Sequence, residues 1–218
     1  AMENTLKKPG EETTSKIPTG AEIERFSVEA GESLRSKLEE MLHTDKRFKG
    51  LSQYVYNIKM YWSMAIPTAC AGHGFIFFNP EFWKKLEPEK QKTVMAHEIW
   101  HLMFDHINRM EGYDPDIHNQ ASDHMMNLGL KEDGFMMDEG MDFGGIEPCC
   151  DPRFKNMSTE QIYAILMQEK EDREKNGQPE PGNGGQGQGQ GFPHPSKDQI
   201  EDLIQEVLEQ EGGIDLQQ

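Results

Sequence analysis

The chain has 218 residues, 35% of them hydrophobic, and carries 22 Lys and Arg against 39 Asp and Glu, a net charge of −17. No run approaches the roughly 18 apolar residues that a membrane-spanning helix needs, and an acidic chain lacks the basic surface of a general nucleic-acid binder. Neither a membrane nor a nucleic-acid partner is therefore expected.

Residues 1–20 are polar and punctuated by Pro9, Gly10, Pro18 and Gly20, the pattern of a flexible N-terminus. Ile23, Phe26, Ala30, Leu34, Leu38, Met41 and Leu42 then recur at helical spacing. The stretch from Leu51 to Ile66 reads as helix running into strand, and Pro67 breaks any helix there. Gly72 and Gly74 mark a turn, followed by a buried strand, Gly74–Phe78, that Asn79-Pro80 ends. A helix is expected from Pro88 to about Met110, with proline and Glu89 suited to its first turn. A second should begin near Asp114-Pro115 and stop at Gly129. Residues 131–157 read as irregular, and Ser158-Thr159-Glu160-Gln161 is a capping box opening a third helix. The Gly- and Gln-rich stretch 176–195 reads as a linker. Beyond it, Ile200, Leu203, Ile204, Val207 and Leu208 make an acidic amphipathic helix within 196–218 that should dock on this domain or on a partner. The body of the fold is thus expected to span residues 21–175.

His97-Glu98-Ile99-Trp100-His101 is an HExxH motif inside the strongest predicted helix. At about 100° per residue the two histidines lie about 40° apart and one turn apart, so both imidazoles reach one zinc ion. Glu98 sits at the edge of that face and can act on a water without ligating the metal. With this composition, chance supplies roughly 0.03 such motifs. Catalytic zinc usually takes three protein ligands. Asn119, Asp123 and Asn127 recur every four residues on the next helix, which makes Asp123 the preferred third ligand and Asn119 and Asn127 groups that orient their neighbours. His106, about 180° around the helix from His97, is a rival only if the helix ends first. His124, Asp105 and Glu139 are weaker rivals. His43, His118 and His194 have no motif context and read as polar surface. Cys70, Cys149 and Cys150 form neither a disulfide framework nor a zinc knuckle, which suggests a reducing, cytoplasmic setting.

A wider set of residues carries a resemblance. Ile66-Pro67-Thr68, Gly74, Phe78-Asn79-Pro80-Glu81-Phe82, His97-Glu98-x-x-His101, His106, Arg109, Asn119-x-Ala121-x-Asp123-x-x-x-Asn127 and Ser158-x-Glu160-x-Ile162-Tyr163 together resemble the family known as the putative metallopeptidase domain. That resemblance spans roughly residues 25–170. It implies an α+β fold like a compact gluzincin, mostly helical, with a small sheet whose edge strand lies beside the zinc helix. It also implies metal positions at His97, His101 and Asp123, a base at Glu98, and a Gly74–Phe78 strand along which an extended peptide pairs. A von Willebrand A-like partner belongs to the same resemblance, as do stand-alone phage and bacterial versions. His124 stands where the family usually has tyrosine.

The expected function is a zinc-dependent metallopeptidase, a hydrolase acting on a peptide or protein substrate, with His106 and Arg109 as candidate helpers of the oxyanion. The competing expectation is a zinc-containing adaptor serving an AAA-type ATPase or a phage–host interaction. An intact Glu98 argues against the adaptor, because a purely structural site has no use for a base.

Overall fold

The computed structural model describes residues 36, 39–41, 43–51, 55, 57–177 and 191–210. Most of the periodic stretch from Ile23 to Leu42 lies outside them, as does the linker between residues 178 and 190. The architecture is α+β. Three short strands, β1 (Lys59–Trp62), β2 (Ala69–Gly72) and β3 (Phe75–Phe78), form one sheet in the order β1-β3-β2. β3 runs parallel to β1 and antiparallel to β2.

β2 and β3 are joined by His73-Gly74, whose φ values are 51° and 84°. Two consecutive positive φ angles give the primed turn whose twist suits a two-residue hairpin, and Gly74 adopts its share without steric cost. β3 lies in the middle of the sheet and is paired on both sides. The expected peptide-pairing edge along Gly74–Phe78 is therefore overturned, and the edge that adjoins the motif helix is β2. Alternation along the strands separates two faces. Ile76, Phe78 and Trp62 enter the main core, whereas Phe77 and Cys70 face a second cluster with Tyr61 and Phe75 at its margin.

Asn79 fixes the end of β3. Its Oδ1 accepts the N–H groups of Glu81 (2.8 Å) and Phe82 (3.1 Å), capping the short helix α1 (Pro80–Lys84), while its Nδ2 donates to the Ile66 carbonyl at 2.7 Å. Helix α2 (Pro88–Met103) begins at a proline and buries Val94, Met95, Ala96 and Ile99 against the sheet. It stops earlier than its periodicity suggests. Asp105 takes a left-handed φ of 51°, and the chain restarts as α3 (His106–Arg109).

Helix α4 (Pro115–Glu132) is capped by Asp114, which accepts the Ile117 N–H at 3.1 Å. It runs straight through Gly129, the expected stop. A Cβ on Gly129 would lie 2.8 Å from Cζ3 of Trp100, so this glycine lets α2 and α4 approach closely. The true stop is Gly134 (φ 87°), with Phe135 N–H bonded to Leu130 O and Gly134 N–H to Lys131 O. That pair of bonds is the Schellman end of a helix. Residues 135–157 are irregular, as expected, apart from a 3₁₀ turn at Pro152–Phe154.

Both bonds of the Ser158–Gln161 capping box open helix α5 (Thr159–Lys175), whose Ile162 and Leu166 pack with Ile117 and Ala121 of α4. The last helix, α6 (Lys197–Gln210), docks on its own domain: Ile200 and Leu203 are buried with Ile66, Cys70 and Phe77 on the outer face of the sheet. Among the described residues no helix is long and apolar enough to cross a membrane.

Candidate metal centre

His97 and His101 project from one face of α2, and Asp123 meets them from the middle of α4. The Nε2 atoms of the two histidines stand 3.0 Å apart. Asp123 Oδ1 lies 3.5 Å from His97 Nε2 and 3.4 Å from His101 Nε2. His194, in the extended segment before α6, adds a fourth donor, its Nε2 3.1 Å from the same Asp123 oxygen. One ligand atom from each of the four lies within 4.8 Å of all the others. Tetrahedral ligands at about 2.0–2.2 Å from zinc stand about 3.3–3.6 Å apart; the Asp123 distances of 3.5 and 3.4 Å fall in that range, and the 3.0 and 3.1 Å separations are a few tenths shorter.

The ligand atoms are aimed by buried partners. Asn127 Nδ2 donates to the Cys149 carbonyl at 2.9 Å, which turns its Oδ1 toward His97 Nδ1 at 2.8 Å. His97 Nδ1 must then carry the hydrogen, leaving the Nε2 lone pair free for a metal. His106 does the same for His101, with Nδ1 to Nδ1 at 3.1 Å. Burial, aided by nearby His118, lowers the His106 pKa to about 3, so it is neutral, and a metal on His101 Nε2 would leave His101 Nδ1 as the donor of this pair. The break after α2 is what allows this, since it swings His106 back from the opposite side of the helix.

Electrostatics favour an anion at Asp123: burial opposes charge on His97 and His194, yet this carboxylate raises the pKa of both. Burial disfavours charge on Asp123, yet the imidazoles of His194 and His97 hold its carboxyl well below the usual range. Burial pushes His101 well below the ordinary histidine value. Glu98, 1% exposed, has neither carboxylate oxygen in a hydrogen bond. Burial raises its pKa to about 7, against the pull of His97. A buried, unpaired carboxylate beside a donor cluster is costly unless something at the site uses it.

The remaining candidates stand elsewhere. Asn119 is half-buried and hydrogen-bonds to none of the cluster among the described residues. Arg109 is paired with Glu160 on α5. His124 is buried but turned away, accepting the Asp151 N–H at 3.1 Å and packing on Phe154. Asp105, Glu139 and His43 are exposed. Two histidines read as surface are not: His118 is 3% exposed, and His194 is part of the cluster. His194 was the residue that sequence reasoning missed. Its signal lay in Phe192-Pro193-His194-Pro195, an aromatic residue and a histidine set in a Gly/Gln tract directly before an amphipathic helix.

A motif helix against a small mixed sheet, meeting a carboxylate from the next long helix in a buried His₃Asp cluster, defines a domain with a candidate metal site. The chain belongs to the family described as "Putative metallopeptidase domain", whose family model matches residues 35–210. No curated protein and no solved structure matches it.

Proposed function

We propose that this domain is a zinc-dependent peptidase in which His97, His101 and Asp123 hold the metal and Glu98 is the general base. Zinc held there would supply a Lewis acid, polarising a carbonyl and acidifying a water. Glu98 is placed to take a proton and return it to a leaving amine, and its elevated pKa suits both halves of that exchange. Asn127 and His106 fix the imidazole tautomers, so the donor atoms need little reorganisation.

The observation that carries this reading is Glu98, buried and unpaired beside the four donors. Glu98→Ala should keep zinc and abolish cleavage of a peptide library. A mutant that cleaves as well as the wild type would sink the mechanism. One observation favours a second reading, a zinc-holding adaptor for an AAA-type ATPase or a von Willebrand A-like partner: with His194 the site offers four protein ligands, the number of a closed structural zinc. Stoichiometric zinc in the wild type and in His194→Ala, with neither cleaving anything, would support the adaptor. Cys70, Cys149 and Cys150, all buried and outside any disulfide, support a reducing, cytoplasmic setting for either reading.

A further inference from the structure

We propose that the segment Gly191–Gln210 is a tethered occupant of the peptidase cleft, with His194 standing in the metal position that a substrate must take. The inference rests on the peptidase reading and concerns how that site is regulated. Three ligands and a base come from α2 and α4, which are built into the core; the fourth comes from an arm that reaches the site after residues 178–190. The arm is packed at both ends, with Phe192 in the main core and Ile200 and Leu203 in the second cluster. Gly191 N–H donates to the Glu147 carbonyl at 3.2 Å. Phe192 inserts its ring 5.2 Å from that of His97, 6.2 Å from Phe82 and 5.9 Å from Phe143. Ile200 and Leu203 then anchor α6 on the sheet, and Ser196 and Gln199 cap that helix reciprocally.

The fit at the metal end is close. A Cβ on Gly191 would lie 2.9 Å from Asp123 Oδ2 and 2.9 Å from Cys149 Sγ, so only glycine lets the arm's backbone pass this near the carboxylate. The arm also walls a cavity of about 430 Å³, opposite Ala65–Pro67, in which Pro193, His194 and Leu203 form part of the lining. An aromatic side chain two residues from a metal-binding group is therefore what the cleft accepts from its own chain, and a competing peptide would need comparable chemistry. Glu98 separates this from a resident structural ligand. A closed four-ligand zinc has no use for a buried base, whereas a blocked catalytic zinc retains one.

The test uses the full chain loaded with Co²⁺, its visible spectrum as readout and acetohydroxamate as the probe for an accessible metal position. Wild type, His194→Ala and Leu203→Asp are compared, the last keeping every ligand while placing a charge in the α6 contact. Both variants should retain Co²⁺ and bind acetohydroxamate about tenfold more tightly, or better, the gain expected when a closed form populated at about 90% is opened. Circular dichroism checks the fold, and either folded variant decides the matter. Equal acetohydroxamate affinity in all three proteins would overturn the inference. So would loss of Co²⁺ from His194→Ala as severe as from Asp123→Ala, since His194 would then be a resident ligand. Variants that bind acetohydroxamate yet cleave no peptide would contradict the peptidase reading and leave the tethered arm standing.

Discussion

Asn127→Leu removes one buried side chain that holds two others in place. The His97 Nδ1–H loses its acceptor at 2.8 Å, and the Cys149 carbonyl loses its donor at 2.9 Å. Both sites are buried, Asn127 and His97 each at 0% exposure. Leaving a buried polar group unpaired costs about 1–3 kcal/mol, so the two together predict about 2–6 kcal/mol of lost stability. In a chain of this size, that lowers the melting temperature by roughly 4–24 °C. Zinc affinity should fall about 10–100-fold, the usual effect of removing a partner that orients a ligand. Melting of the metal-free protein and competition with a zinc chelator read the two effects separately. Asn127→Asp sharpens the test: it keeps an acceptor for His97 but sets a carboxylate oxygen against the Cys149 carbonyl, so stability should fall more than metal affinity. A leucine variant that matches wild type in both measurements would refute the role assigned to Asn127.

Asp123→Ala should weaken zinc by orders of magnitude, while His124→Ala, one residue along but facing Phe154, should leave it bound; chelator competition on both checks the geometry. Gly129→Ala should give a net loss of about 0–2 kcal/mol, because crowding Trp100 at 2.8 Å outweighs the helix-propensity gain of about 1 kcal/mol. A variant more stable than wild type in urea would show that the helices have room there. Asp114→Ala should cost about 1 kcal/mol by uncapping α4. The Lys170 contact, above all, depresses the Asp114 pKa below its usual 3.8, so this contribution is present above that value and disappears as pH falls through the lower folded value. A difference between wild type and Asp114→Ala that persists undiminished at a pH low enough to protonate the folded-state carboxyl would contradict it.

The local signals in the sequence were faithful where structure is local. HExxH and the four-residue spacing of Asp123 and Asn127 put His97, His101 and Asp123 in one cluster, with Asn127 against His97, because helical periodicity fixes which residues share a face. Ser158 and Gln161 formed the box that their spacing advertised. Non-local geometry was hidden. Nothing between Leu102 and His106 is a glycine or proline, so the left-handed Asp105 that ends α2 and returns His106 to the site had no signature. Gly129 looked like a stop because the same residue serves helix ends and close helix contacts, and only the position of Trp100 tells them apart. The central place of β3 depends on pairings made with β1 and β2 in space. His194 depends on the docking of an arm 71 residues beyond Asp123.

The most direct measurement is zinc analysis of the full chain purified without added metal, followed by X-ray absorption at the zinc edge. The account predicts one zinc per chain bound by nitrogen and oxygen donors alone, at about 2.0–2.2 Å, with three imidazoles in the shell. A chain that holds no zinc, or a zinc carrying sulfur from Cys149 or Cys150, would contradict it.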